Sequence, residues 1–327
     1  LRETNTVEVV IGSELSSVNP AMAQTAAPPH PDLSNDKTGH GLSTAYISEL
    51  NLERYPILDH HRLDGKPVVP FALMAEWFGH GALHNNPGLQ LAGLENMRLL
   101  KGIVLEDRQR PIRILAAPAK SNVDSITVNL ELRDGITDGA EVIHSKATAL
   151  LTDRLPSPPP YEIPADLKNA AYDRAVSQIY ADILFHGQAL QGIRRVRSCL
   201  ASGMLADLGT APTPGAWIQT PPRNHWIADP LAMDGAFQMA SLWCYEETGR
   251  VSLPSFSASY RQYCRRFPSQ PIQAVLAIRD VSRYKLVGDF TFLDQDGKVL
   301  ATITGYEAVM EDRLIRAFKP ERYATGR

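Results

Sequence analysis

The sequence predicts two tandem α+β units, and three observations carry that prediction. Two segments, 71–83 and 231–243, are apolar and rich in small and aromatic residues, with the spacing of helices. Each is followed by several β-like segments, and Asp-Gly turn signals separate the last members of each set. Between the sets lies Leu155-Pro156-Ser157-Pro158-Pro159-Pro160, a proline cluster that cannot sit inside a sheet and makes a semi-rigid spacer. One helix packed on a large antiparallel sheet buries the apolar face of both.

In chain order, Val7-Glu8-Val9-Val10-Ile11-Gly12 reads as a short strand ended by glycine. Residues 13–41 are rich in Ala, Pro, Ser, Asn and Asp and read as a linker. Residues 1–43 are therefore expected to be a strand and linker, the tail of a preceding domain. The first unit is expected over 44–152: a strand through Ile47 and Leu52, a histidine-bearing loop, the helix after Pro70, and a strand and turn within 89–105. Strands at 111–117, 125–132 and 141–151 complete it, the last two separated by Asp134-Gly135 and Asp138-Gly139. Residues 153–169 read as the Pro-rich linker. The second unit is expected over 170–312, with helical spacing at 170–184 and a strand at 189–205. The long helix at 230–248 has Asp229 as N-cap and Pro230 at its first position. Strands at 256–264, 272–280, 285–293 and 298–310 follow, with Asp296-Gly297 marking the final hairpin. Residues 313–327 are charged and read as a C-terminal linker.

Composition narrows the function classes. The 327 residues are 44% hydrophobic and 21% charged, ordinary for a globular chain. A net charge of -3 and a pI near 6.3 give no bulk basic field, which argues against nucleic acid as the main partner. Three scattered cysteines, Cys199, Cys244 and Cys264, make neither a disulfide framework nor a C-x-x-C metal site and point to a reducing compartment. No apolar run approaches the ~20 residues a membrane-spanning helix needs. The start, Leu1-Arg2-Glu3-Thr4, has neither an initiator methionine nor an apolar signal segment, as expected of a piece of a longer polypeptide.

Three constellations carry chemistry. In the first, His61 precedes Gly65 and Pro70, so that a titratable imidazole sits on a loop in front of a helix start. Taken alone, this is also what an ordinary turn-plus-helix junction looks like, and His60 competes with its neighbour. In the second, Asp234 and Gln238 stand at i and i+4 on one helix face, where the amide can orient the carboxyl group. A carboxyl among apolar residues has its pKa raised and can act as a general acid. The alternative is a solvated acid near a helix start. The third is Phe185-His186-Gly187-Gln188-Ala189-Leu190-Gln191-Gly192, in which glycines flank a short apolar segment, as in a loop lining a pocket or in an ordinary turn.

Together, in this order on a duplicated frame, the motifs resemble the dehydratase domain of polyketide synthases. His61, Gly65 and Pro70 meet that family's H-x-x-x-G-x-x-x-x-P motif, and Asp234 and Gln238 meet D-x-x-x-Q/H, with Pro230 matching the proline that precedes it. The Y-G-P and F-Q-G motifs are met in part: His186 stands for the tyrosine and Gln188 for the proline, while Gly187, Gln191 and Gly192 match. The resemblance covers about 44–312. It implies a double hotdog, two tandem hotdog units each with a central helix wrapped by an antiparallel sheet. It also implies a synthase of the iterative, polyunsaturated-fatty-acid or enediyne-like kind.

The implied enzyme is a 3-hydroxyacyl-[acyl carrier protein] dehydratase, a hydro-lyase that gives a trans-2-enoyl thioester. His61 is the implied base, Asp234 the acid and Gln238 its positioning partner. Gly65, Pro70, His186, Gly187 and Gln191 are expected on the substrate side, and backbone N–H groups near Gly65 or the Pro70 helix start would stabilise the thioester oxygen. No metal or organic cofactor is expected, the acyl chain riding on the phosphopantetheine of acyl carrier protein. The expected partners are that carrier and neighbouring domains such as a ketoreductase, in a cytoplasmic homodimer with no nucleic acid or membrane. The alternatives are a hotdog thioesterase, a double-bond isomerase or cyclase on the same frame, and a non-catalytic scaffold module. A metal hydrolase built on His60, His61 and Asp64 lacks a clear ligand set, since adjacent histidines point in different directions.

Overall fold

The computed structural model describes residues 41–105, 110–121, 125–134 and 141–319. The N-terminal strand and linker expected before residue 41 lie outside the described residues, as do 135–140 of the double Asp-Gly turn.

The first half contains β1 (Ser43–Leu50), β2 (Arg62–Leu63), β3 (Lys66–Pro67), α1 (Phe71–His84), β4 (Gln90–Leu99), β5 (Arg110–Ala116), β6 (Lys120–Ser121), β7 (Ile126–Asp134) and β8 (Ile143–Thr152). The second half contains α2 (Ala165–Asn169), α3 (Val176–Asp182), β9 (Ile193–Leu200), β10 (Gly203–Leu208), α4 (Pro230–Thr248), β11 (Ser252–Gln262), β12 (Ile272–Val281), β13 (Lys285–Leu293), β14 (Val299–Met310) and α5 (Leu314–Phe318). Apart from the small β2–β3 hairpin, the strands form one antiparallel sheet, ordered β1-β5-β7-β8-β4-β11-β14-β13-β12-β10-β9 with β6 on β7. The two halves thus each contribute a block of strands, and the blocks join where β4 pairs with β11. That seam is close. A Cβ on Gly93 would lie 2.2 Å from the Tyr260 carbonyl oxygen, and the Arg98 guanidinium covers the Phe256 ring at 4.3 Å.

The curled sheet encloses α1 and α4. Residues 71–82 of α1 and 230–244 of α4 are buried on all sides, as expected of helices apolar all round. The helices meet each other as well as the sheet, Phe71 and Phe237 placing their ring centroids 5.9 Å apart. Small residues permit that packing: a Cβ on Gly81 would meet Ile114 Cγ2 at 2.5 Å, and one on Gly79 would meet Ile227 Cγ2 at 3.0 Å. α4 begins as its sequence predicts. Pro230 is in the first turn and the Asp229 side chain accepts from the N–H groups of Leu231 and Ala232. It ends at Gly249, whose φ of 72° is the left-handed conformation of a helix C-cap. Among the described residues, no helix is long and apolar enough to cross a membrane.

The structure corrects four local expectations. Residues 170–184 do not form one helix; only Val176–Asp182 does. The preceding stretch is held in extended form because Tyr172 Oη and Arg174 Nε donate to Glu246 on α4 at 2.7 and 2.9 Å, a tertiary pull stronger than local propensity. The strand expected at 189–205 is a hairpin, β9–β10, whose return begins at Gly203. β11 begins at Ser252 rather than near Phe256, because the register shift between Pro254 and Phe256 lets a proline sit inside the strand. The residues read as a C-terminal linker open with α5, whose Leu314 and Phe318 are buried in the core.

Candidate active site

His61 owes its position to backbone geometry on both sides. It follows a 3-10 turn over Pro56–His60 and opens the β2–β3 hairpin, whose corner is Asp64 (φ 51°) and Gly65 (φ 73°). Two positive φ values in a two-residue loop make the Asp-Gly hairpin turn. The Val68 N–H donates to the His61 carbonyl at 2.9 Å. In return the Val68 carbonyl lies 2.9 Å from His61 Nδ1. A carbonyl only accepts, so Nδ1 carries the hydrogen and Nε2 presents a lone pair. Burial pushes the imidazole down to about 4, against a smaller raising effect of the Val68 hydrogen bond. The ring is neutral near pH 7.

Asp234 comes from the other half, in the second turn of α4. It is 4% exposed, and burial raises its carboxyl to about 7 while the Gln238 hydrogen bond pulls the other way. Gln238 has every polar valence committed. Its Nε2 donates to Asp234 Oδ2 at 2.6 Å and to the Leu190 carbonyl at 2.8 Å. Its Oε1 accepts from Tyr180 Oη at 2.5 Å and from the Gly192 N–H at 3.1 Å. Tyr180 Oη in turn accepts from the Ile193 N–H at 2.8 Å. The acid is therefore held by an amide that cannot turn without breaking several buried hydrogen bonds.

The third motif supplies a second imidazole. The Gly187 N–H donates to the His60 carbonyl at 2.8 Å, and a Cβ on Gly187 would meet His60 Nδ1 at 2.6 Å. His60 thus seats the loop, and His61 faces the site. Docked this way, His186 places Nε2 3.4 Å from Asp234 Oδ2 and its ring centroid 5.2 Å from that of His61. Burial and the neighbouring His61 and Lys319 hold His186 well below the usual histidine range. One ring nitrogen from each histidine and one Asp234 oxygen all lie within 4.8 Å of one another. They open on a cavity of about 580 Å³ whose wall includes Val69, Phe71, Phe237 and Leu253.

Of the residues read from sequence, His61, Asp234, Gln238 and His186 line this cavity; Gly65, Pro70, Gly187 and Gln191 do not. Gly65 is the exposed tip of a hairpin, with open space around a would-be Cβ. It serves turn geometry rather than a close approach of backbone to ligand. Pro70 is the N-cap of α1 instead of its first residue, and it shapes the helix start without reaching the cavity. Gly187 seats on His60, as described, and Gln191 ends the short 3-10 turn at Gln188–Leu190.

This fold has counterparts among known proteins. The sequence model of the family described as "Polyketide synthase dehydratase N-terminal domain" matches residues 156–316. The fold is similar to the dehydratase domain from the CurF module of curacin polyketide synthase, with a TM-score of 0.68 and 17% identity over 85% of this chain and 97% of that one. It is as similar to a trans-AT polyketide synthase dehydratase domain from Brevibacillus brevis: TM-score 0.68, 18% identity, 84% and 96% covered. The chain has the fold of a polyketide synthase dehydratase domain. That makes it the double hotdog expected from the motifs. Solved structures with the same fold include two inactive variants of the CurK dehydratase, one with a histidine changed to phenylalanine (TM-score 0.65, 17% identity, 85% and 96% covered) and one with an aspartate changed to asparagine (0.64, 17%, 85% and 96%). A polyunsaturated fatty acid synthase protein of Thraustochytrium sp. is 27% identical over 200 residues. The match takes in 61% of this chain and 7% of that protein, so the chain corresponds to a small part of its relative.

Within this dehydratase fold, several contacts escaped the sequence reading. Phe185 stacks on His186 at 4.1 Å and meets Phe318 of α5 at 4.6 Å. The Asp64 N–H donates to the Ala317 carbonyl at 2.8 Å, and Lys319 Nζ to the Tyr180 carbonyl at 2.6 Å. The stretch around α5 therefore ties the His61 hairpin to the Gln238 network. Its only signal was a pair of apolar residues in a charged tail. Glu76, buried in α1, accepts from the N–H groups of Ile227 and Ala228 at 2.6 to 3.0 Å and lies 3.0 Å from His80 Nε2. It thereby anchors the segment leading into α4. A lone acid in an apolar helix was the signal there.

Proposed function

We propose that the chain is the dehydratase of a polyketide or fatty-acid synthase. It removes water from a 3-hydroxyacyl chain carried as a thioester on acyl carrier protein and leaves a trans-2-enoyl thioester. One observation carries the reading: a neutral imidazole lone pair on His61 and a carboxyl on Asp234 that keeps its proton, from different halves, face one cavity within 4.8 Å. His61 Nε2 takes the C2 proton, and the C2–H electrons form the C2=C3 bond. The C3–O bond breaks as Asp234 gives its proton to the departing hydroxyl, and water leaves. Charge developing on the thioester oxygen falls to orphan amides at the start of α1, where Phe71 lines the cavity. The inactive histidine and aspartate variants of the CurK dehydratase support these roles by analogy.

The reaction needs no cofactor beyond the carrier's phosphopantetheine. The partners are acyl carrier protein and neighbouring synthase domains such as a ketoreductase, in a cytoplasmic homodimer. Incubating the protein with a 3-hydroxyacyl thioester of acyl carrier protein and following the product by mass spectrometry tests this. Loss of one water is expected. A free acid would indicate a thioesterase, and an unchanged substrate a scaffold.

A further inference from the structure

The constellation around Asp234 holds more than an acid and a base. Among the described residues, His61, His186 and Asp234 are the one group of three or more metal-competent side chains whose ligand atoms converge. We propose that this triad is a binding site for a single borderline divalent transition-metal ion of the Zn²⁺ type, and that occupancy shuts down the elimination.

The donor set suits such an ion. Two imidazoles and one carboxylate, with remaining positions open to a cavity, match three-ligand zinc sites and the two-histidine, one-carboxylate pattern of other divalent metals. The spacing is close to what is needed. Bonds of about 2.0 to 2.2 Å place neighbouring donors roughly 3.3 Å apart, and His186 Nε2 already lies 3.4 Å from Asp234 Oδ2. With all donors inside 4.8 Å, His61 has to close by no more than about 1.5 Å.

Two of the three donors have outer partners of the kind that orient metal ligands. The Val68 carbonyl fixes His61 through Nδ1, which leaves Nε2 for the ion. The Gln238 amide fixes the Asp234 carboxylate through Oδ2. His186 is the telling member. It is 8% exposed, its Nδ1 has no hydrogen-bond partner, and the ring is clamped against Phe185. The unpaired Nδ1 is the far nitrogen; Nε2, 3.4 Å from Asp234 Oδ2, is the one turned toward the ion. His186 also stands where the resembled family carries a tyrosine, and a phenol there would leave a pair of donors rather than a triad.

The neighbouring histidine cluster offers a contrast. His80 lies 3.0 Å from Glu76, but that carboxylate already accepts from the amides of Ile227 and Ala228. The second ring nitrogen of His80 accepts from Arg223 Nε at 3.3 Å. Its donors are engaged in holding the halves together.

An ion on the triad takes the His61 lone pair and an Asp234 oxygen at once, so it competes with the acyl substrate. Uptake itself is independent of the dehydratase reading. A protein that takes up Zn²⁺ but dehydrates nothing would sink that reading and leave the site standing, and the reverse result would do the opposite.

The test uses the full chain purified without a histidine tag. Equilibrium dialysis should give one Zn²⁺ per chain, and Co²⁺ should give visible d–d absorption of a low-coordinate nitrogen and oxygen site. His186→Tyr and His186→Gln, checked for native circular dichroism, should each weaken Zn²⁺ binding by at least about tenfold and lose the Co²⁺ bands; two replacements guard against one failing to fold. His84→Ala, beside the other cluster, should bind as the parent does. In the parent, Zn²⁺ should raise the apparent KM for the acyl thioester. Sub-stoichiometric uptake, unchanged binding in a folded His186 variant, or loss of binding in His84→Ala would each overturn the proposal.

Discussion

Gly192 and Gly235 meet backbone to backbone: a Cβ on Gly192 would stand 2.6 Å from Gly235 Cα. The first glycine closes the third motif and the second follows Asp234, so this contact sets how near the loop and the acid helix come. It also lets the Gly192 N–H reach Gln238 Oε1. Gly192→Ala should push the loop off α4, costing about 1 to 3 kcal/mol of stability by overpacking. Denaturant melts measure that loss. Turnover should fall with it, since Gln238 loses a donor; a variant with parental stability and rate would refute the contact's importance.

The pH–rate profile should follow the acid–base pair. With His61 at about 4 and Asp234 at about 7, kcat/KM should be highest between those values. It should decline below as the base is protonated and above as the acid loses its proton. His61→Ala and Asp234→Asn should each lower the rate by at least about 100-fold. The two limbs belong to the coupled pair as a whole, so a profile flat from about pH 4 to about pH 9 would contradict both assignments.

Stability should depend on pH through the same groups with opposite sign. The folded Asp234 keeps a proton up to about 7, whereas an unfolded aspartate releases it near 3.9. Its contribution is therefore present below the unfolded value and lost as pH rises through about 7. His61 is neutral in the fold down to about 4, so its contribution is lost as pH falls from about 6.5 through that value. Asp234→Asn should raise Tm most above about pH 7 and least near pH 4. Thermal melts across that range read the difference directly.

Gln238 donates to the Asp234 carboxyl, so its loss should show as a changed titration as well as a slower rate. In Gln238→Leu the alkaline limb of kcat/KM should move up, because the hydrogen bond that pulls the Asp234 carboxyl down is gone, and kcat should drop at least about tenfold. Tyr180→Phe should be milder in rate. It costs about 1 to 3 kcal/mol in stability by leaving the buried Ile193 N–H unpaired.

Glu76 should matter at a distance from the chemistry. Glu76→Ala strips the acceptor from the amides of Ile227 and Ala228, just before the Asp229 cap. A loss of about 3 to 5 kcal/mol is expected for breaking such a buried charged network. It should be visible in Tm together with a weaker kcat, whereas a purely local role would leave kcat untouched.

Much of this was legible beforehand. The two central helices, the β13 and β14 strands and the final Asp-Gly hairpin have strong local signals: apolar runs of helical length, a side-chain cap, a glycine at positive φ. The spacing of His61 to Gly65 and Pro70 and of Asp234 to Gln238 was readable too, because turn chemistry and helix periodicity are local properties. The extended stretch ahead of α3 was not readable, because it is held by Glu246 from another element. Nor was the place of α5, whose Phe318 acquires meaning only against Phe185.

By itself, then, the sequence determined the duplicated plan and picked out His61 and Asp234 as candidates. The tertiary structure decided what surrounds them: Gly65 is a hairpin corner, Tyr180 and Gly192 hold Gln238, and His186 joins the pair as a third donor. The physical reason is that hydrogen bonds and close backbone contacts between residues far apart in the chain have no periodicity to read. They exist once the β4–β11 seam closes the sheet and brings the His61 hairpin, the His186 loop and α4 to one cavity.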